Sequence, residues 1–293
     1  PPRPPPRGAQ LSRTKERYPP ARHRLEPGRS RAQRPPANGK ASRQANRDCL
    51  AVRLLMAETT LETIDLLLLS LAFLPVGFVI GIMWYWRLEA GKASWAVLRM
   101  LVQLMLIGYV LVYIFAAESG LVVLGVILIM LVASSWIALN TIPGRRISLY
   151  PIALVSVGLG GTVTLVLVTQ GVLTLGSWFE PRYVIPLAGM TFANAMTSVS
   201  LAAERIESEL ANGHEFLQAR NIAFHAGMIP VINSLFAVGL VSLPGMMTGQ
   251  ILSGVSPFIA ARYQIMVMCM IFASAGLSTL CFLMLAQRLK KFE

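Results

Sequence analysis

Two groups of residues in this sequence have types and spacings that could do chemistry. The first is charged and compact: Glu204, Glu207, Glu209, His214, Glu215 and His225, with Arg220 among them, all fall within residues 204–225. Carboxylates and imidazoles can bind hard and borderline metal ions. The same composition also describes a solvated amphipathic helix, since a charge run commonly marks an exposed face. The second group is neutral: Gln103, Ser134, Ser135, Asn194, Asn233, Gln250 and Gln264 interrupt long apolar runs. Such side chains either tie helices together, at about 1 kcal/mol or less each, or line a path for a polar substrate. Asn194, Asn233 and Gln250 lie near breaks or glycines and are read as pathway lining, with Gln103 as a fourth candidate. Methionines such as Met246, Met247, Met266, Met268 and Met270 would suit a soft ion such as Cu(I). They equally suit irregular apolar packing, so no metal ligand is assigned.

Other chemistries are missing from the chain. Neither an HExxH nor a GxSxG motif occurs. The three cysteines, Cys49, Cys269 and Cys281, are spaced for neither a disulfide framework nor a zinc knuckle. Asp65, Glu118 and Glu180 sit at the edges of apolar runs and no carboxylate falls in the middle of one. That argues against a proton-coupled relay. No phosphate-binding GxxxxGKS or GxxxxGKT loop is present, so the expectation is no bound cofactor and no ATP held in the P-loop manner. The chain reads as a non-enzyme, and any pumping would use ATP bound by a partner subunit.

The elements that must position these residues are apolar helices. The sequence is 55% hydrophobic and 14% charged, with a mean hydropathy of +0.59, whereas soluble domains carry about 25% charged residues. The net charge of +12 is misleading, because residues 1–53 hold 14 of the 26 Lys and Arg but only 3 of the 14 Asp and Glu. The body is nearly neutral, which removes any basis for nucleic-acid binding. Residues 1–55 read as a disordered Pro/Arg-rich leader. Met56 is the first methionine and leads directly into apolar sequence, so the leader is expected to lie upstream of the native start. The body that follows is 56–293.

A bilayer crossing needs about 20 apolar residues. Seven candidate spans run 66–86, 97–117, 121–139, 147–168, 184–203, 226–243 (with a broken extension to 252) and 264–286. One side receives Arg87, Lys92, Arg99, Arg145, Arg146, Arg205, Arg220, Arg288, Lys290 and Lys291; the other receives Arg182 and Arg262. By the positive-inside rule the carboxyl terminus is cytoplasmic and, with seven spans, the amino terminus is outside. The expected fold is an all-α integral membrane bundle of about seven helices, multi-pass in a plasma membrane.

Two stretches depart from plain spans. In Val238–Gln250, Pro244 and Gly245 interrupt an apolar run, and Gly249 follows four residues after Gly245. Proline removes a backbone donor and glycine permits the bend. Broken membrane helices often mark a transport path, so Pro244, Gly245 and Gly249 are read as a hinge. The other stretch, 204–225, is long for a connection between helices, which usually takes about 2–8 residues. It reads as a helix, a turn at Asn212-Gly213, and a second helix. Such a projection can receive force from a soluble motor. Glu204, Glu207, Glu209, Gly213 and Arg220 are the candidate coupling residues.

Residues 97–289 resemble a known family. The matching segments are Arg99-x-x-x-Gln103-Leu104-x-Leu106-x-Gly108-Tyr109-Val110; Ile185-Pro186-Leu187-Ala188-Gly189-Met190 with Asn194-Ala195-Met196; Ile229-Pro230-x-x-Asn233-Ser234; Val238 through Gly249; and Pro257 with Tyr263-Gln264-Ile265. These are similar to the bacterial iron-export permeases (the FetB-like proteins), a family that also includes the plant aluminium-sensitivity membrane subunits. The resemblance implies the membrane subunit of an ATP-binding-cassette transporter. It would work as a homodimer with a separate cytoplasmic ATPase in the bacterial inner membrane, exporting metal ions such as iron. One departure stands out: the family's Leu-Gly-Ala-Thr-like turn is replaced by Asn212-Gly213-His214, with only Gly213 retained. Two rival readings from other classes remain open on the residues alone. One is an ATPase-independent channel or passive carrier, and the other is a non-transporting membrane scaffold. ATP-dependent flux separates them.

Overall fold

The structure is a computed structural model that describes residues 65–116, 119–174 and 176–289. The leader, the Met56 start, Glu118, Lys290 and Lys291 lie outside the described residues. Among those described, every regular element is a helix.

The described residues up to Leu88 and those from Glu89 onward fall into two separate compact units. In the first, α1 (Leu66–Leu71) and α2 (Phe73–Tyr85) are nearly continuous, with Ala72 still in right-handed helical geometry between them. Asp65 caps α1 by accepting the Leu67 N–H at 3.3 Å. Stretch Leu67–Tyr85 has a mean hydropathy of 2.3 and no buried face within its own unit, as suits a lipid-facing span. It ends at Trp86 in a reverse turn that places Arg87 at φ 56°, the left-handed position usually taken by glycine.

The second unit contains α3 (Ala90–Ala116), α4 (Gly120–Ala138), α5 (Arg146–Val166), α6 (Pro181–Ala211), α7 (Phe216–Ala237), α8 (Gly245–Leu252) and α9 (Pro257–Arg288). A single 3₁₀ turn, Pro143–Arg145, leads into α5, and a π-turn, Leu167–Val172, prolongs it. Pro181 and Pro257 open α6 and α9, where the missing N–H costs nothing. Helices α5, α6, α7 and α9 pack on one another around Leu149, Val157, Phe192, Val199, Met270 and Phe282, all essentially fully buried. Helix α4 leans on α5 and α6. Helix α3 joins by its far end, where Ile114 is buried with Val123 and Val184.

This core is closed by small residues. A Cβ added at Gly160 of α5 would fall 2.6 Å from the Ser278 nitrogen and 2.9 Å from its Cα on α9. A Cβ at Gly227 of α7 would fall 2.7 Å from the Ser198 carbonyl oxygen on α6. Apolar helices in lipid gain nothing by hiding from a solvent as apolar as themselves, so association depends on this close backbone approach. The accompanying hydroxyls of Ser156, Ser198, Ser278 and Thr279 are buried and have no hydrogen-bond partner among the described residues.

Among the described residues six stretches are long and apolar enough to cross a membrane: Leu67–Tyr85, Ala90–Phe115, Gly120–Ala138, Pro143–Val172, Pro181–Ala211 and Pro257–Arg288. The protein is therefore a multi-pass helical membrane protein. The expected sixth span, 226–243, differs from the rest. Helix α7 begins ten residues earlier and stops at Ala237. At 22 residues it is about 33 Å long, enough to cross a core of about 30 Å. Gln218, Arg220, Asn221 and His225 keep it from being uniformly apolar. Helix α8, with 8 residues, is too short to cross. The expected connection at 169–183 is also shorter than read from sequence, because the π-turn and the early start of α6 take up most of it.

Candidate functional site: a helical hairpin and a broken span

Helix α6 has 31 residues, about 46 Å by rise, and so outruns the bilayer core. Its last turns carry Glu204, Glu207 and Glu209 without a break, and α7 returns after a turn of four residues. The stretch read from sequence as two short loop helices is thus the end of α6 and the beginning of α7. The turn is built by hydrogen bonds: Gly213 N–H donates to the Leu210 carbonyl at 3.0 Å and His214 N–H to the Glu209 carbonyl at 3.2 Å. Gly213 sits at φ 85°. This is the Schellman arrangement, which needs a left-handed residue one past the cap.

Glu209 anchors the turn from inside. Its carboxylate is buried, with one oxygen accepting from Arg205 at 2.7 Å and the other from the His214 ring at 3.2 Å. A buried carboxylate is tolerated only when paired. Glu207 meets Arg145 at 3.5 Å, joining α6 to the turn before α5. Nearby, Arg146 stacks 3.8 Å over the Trp136 ring and donates to the Trp136 carbonyl at 2.8 Å. Arg220 donates to the adjacent Asn221 amide oxygen at 3.2 Å.

Two cavities flank the hairpin. One, of about 510 Å³, lies between α6 and α7 and is lined by Leu201, Glu204, Arg205, His225, Ala226 and Pro230 among others. The second, of about 340 Å³, lies between α7 and α9 and includes Arg220, Asn221 and Phe224. Among the described residues no three His, Cys, Asp or Glu side chains gather closely enough to hold a metal ion.

The break beyond α7 is sharper than sequence alone indicates. The N–H groups of Val241 and Ser242 turn back to the Ala237 carbonyl at 2.8 and 3.1 Å. Gly239, at φ 84°, donates to the Ser242 carbonyl at 3.0 Å. Pro244 caps α8, Gly245 is its first residue, and a Cβ at Gly245 or Gly249 would meet nothing within 4 Å. The chain therefore reverses at Gly239, and the Pro244-Gly245 pair restarts the helix. Thr248 fastens that restart by donating from its hydroxyl to the Pro244 carbonyl at 3.2 Å.

The four expected pathway residues are not gathered into either cavity. Asn194 is half-buried on α6 and donates to the Met190 carbonyl of its own helix at 2.8 Å. Asn233 is exposed on α7 and Gln103 is exposed on α3. Gln250 is half-buried on α8, and its Oε1 is shielded with no partner among the described residues. Gln264 on α9 is buried with its Oε1 in the same condition. Sequence reasoning missed Gly239, Gly160 and Gly227. The spacing Ser156-x-x-x-Gly160-x-x-x-Thr164 is the signal that could have pointed to the α5 contact.

A helical bundle with a long hairpin and an interrupted helix beyond it belongs to the class of polytopic membrane proteins. The chain belongs to the uncharacterised protein family UPF0014, whose match covers residues 66–290. It is 33% identical over 236 residues to a UPF0014 membrane protein of Synechocystis, spanning 73% of this chain and 91% of that one. It is 36% identical over 210 residues to the "Probable iron export permease protein FetB" of Escherichia coli, spanning 64% and 78%. It is 34% identical over 210 residues to "Protein ALUMINUM SENSITIVE 3" of Arabidopsis thaliana, spanning 65% and 74%. No solved structure matches the chain.

Proposed function

We propose that the chain is the membrane-spanning permease subunit of an ATP-driven exporter of metal ions, iron foremost, working as a homodimer with a separate cytoplasmic ATPase. The observation that carries the reading is the α6–α7 hairpin. It prolongs α6 past bilayer length, and a glycine turn pinned by the buried Glu209 holds it in one shape against α7. A plain connector needs neither the length nor the pin. The printed name of the Escherichia coli relative supplies the cargo class. The distribution of Lys and Arg supports a cytoplasmic hairpin and carboxyl terminus, an outer amino terminus, and placement in the plasma (bacterial inner) membrane.

In this reading ATP binds the partner, and this chain holds no cofactor. ATPase closure pushes on the hairpin through Glu204, Glu207, Glu209, Gly213 and Arg220. The stiff helices α6 and α7 carry the displacement to the break, where the segment from Gly239 through Pro244, Gly245 and Gly249 swings. The ion crosses beside Asn194, Asn233, Gln250 and Gln103. The test is affinity purification of the intact chain from its native membrane after cross-linking. The expected result is a soluble protein with a phosphate-binding loop at equal stoichiometry, lost when Asn212-Gly213-His214 is replaced by three serines. Repeated recovery of the chain without any ATPase would overturn the reading in favour of a channel.

A further inference from the structure

We infer that the cavity between α6 and α7 binds a divalent transition-metal cation through the Glu204 carboxylate, the His225 imidazole and the backbone carbonyl of Ala226. The inference rests on the export reading only for the role of the ion as cargo; the site itself follows from its residues.

The ligand chemistry is on the cavity wall. Glu204 comes from α6 and His225 from α7, so the two helices present an oxygen and a nitrogen to the same space. Imidazole with carboxylate suits borderline divalent ions such as Fe²⁺, Mn²⁺ or Co²⁺. Among the described residues Glu204 makes no ion pair, which leaves its charge to a cation. Arg205, the next residue, also lines the cavity but is engaged at 2.7 Å by the buried Glu209. Its charge is thus already compensated.

The third ligand comes from a proline. In a helix the carbonyl of residue 226 would accept from the N–H of residue 230, but Pro230 has none. Both Ala226 and Pro230 line the cavity. An oxygen released from its helix in this way needs another partner, and a hard or borderline cation is one. Gly227, where a Cβ would fall 2.7 Å from the Ser198 carbonyl oxygen, lets α7 pack close against α6 beside this cavity. The set is short of a closed cage, consistent with no cluster of three ligating side chains among the described residues. Remaining positions would be water. A resident structural ion wants a closed, saturated site; an ion that must be picked up and released does not.

The experiment uses the full chain in lipid nanodiscs with Co²⁺ alone as probe, followed by equilibrium dialysis and visible absorption. Saturable binding of one ion per chain is expected. Glu204→Gln and His225→Ala should each weaken it by at least about tenfold, a loss of the size that even outer-shell changes produce. Pro230→Ala, which returns an N–H to the Ala226 carbonyl and favours the helix, should weaken it without threatening the fold. Glu180→Gln, at the opposite end of α6, should leave it unchanged. No saturable binding, or binding indifferent to Glu204→Gln, His225→Ala and Pro230→Ala, overturns the inference. Iron flux from a chain that fails to bind Co²⁺ also overturns the site and leaves export standing. Site-dependent Co²⁺ binding without flux supports the site and counts against export instead.

Discussion

Substituting Gly160 by alanine tests how the bundle is held. The added Cβ would lie 2.3 Å from the Ser278 hydroxyl oxygen, 2.6 Å from its nitrogen and 2.9 Å from its Cα. Ordinary carbon–oxygen contacts begin at about 3.3 Å even when they are attractive, so α5 and α9 must part by several tenths of an ångström. Two of the three atoms belong to the backbone and no rotamer change moves them. Overpacking of this kind costs about 1–3 kcal/mol. Alanine returns up to about 1 kcal/mol of helix propensity. These two effects leave a loss of about 0–2 kcal/mol, and loosening of contacts along the α5–α9 seam adds to it, so the variant should be destabilised. Ser278→Gly on the same background removes only the hydroxyl clash, so it should rescue in part. The assay is reversible unfolding in mixed detergent micelles followed by far-ultraviolet circular dichroism. Gly160→Ala as stable as the parent, or full rescue by Ser278→Gly, would refute the close-contact argument.

Three further outcomes follow from the hairpin and the break. Gly213→Ala puts a side chain at φ 85° and should cost about 1 kcal/mol in the same assay, and it should weaken ATPase recovery in the cross-linking purification. Glu209→Ala leaves Arg205 and His214 without their shared partner and should lower stability by about 1–3 kcal/mol; a Glu209→Ala protein of parental stability would show that the pin does nothing. Gly245→Leu meets open space in this conformation, so insertion and stability should persist. The hinge proposal nevertheless expects loss of metal flux in that variant, and unchanged flux would remove Gly245 from the hinge.

Much of the fold was legible because apolar runs of bilayer length are a strong signal and few alternatives satisfy their backbones. The helix-turn-helix character of 204–225 was legible from Asn212-Gly213 between helix-favouring segments. Its continuity with the spans was not, because Glu204 and Arg205 change the polarity of the helix without breaking it. The interruption near Pro244 was legible from proline and glycine chemistry. Its turning point at Gly239 was not, since that depends on three N–H groups converging on the Ala237 carbonyl. Helix α7 was the hardest span to bound, because its polar residues mask a helix of full length. Glu209 looked like its exposed neighbours in sequence. Only the approach of Arg205 and His214, one along the helix and one across the turn, shows that it is buried. The meeting of Gly160 with Ser278 joins residues too distant in sequence for any local pattern to pair them.

The most direct measurement of the central claim is radio-iron transport by inverted membrane vesicles containing the chain and its co-purified ATPase, with and without ATP. The account predicts accumulation that requires ATP, requires this chain, and disappears when the Asn212–His214 turn is replaced. Iron movement that proceeds equally without ATP, or ATP-driven accumulation in vesicles lacking the chain, would contradict it.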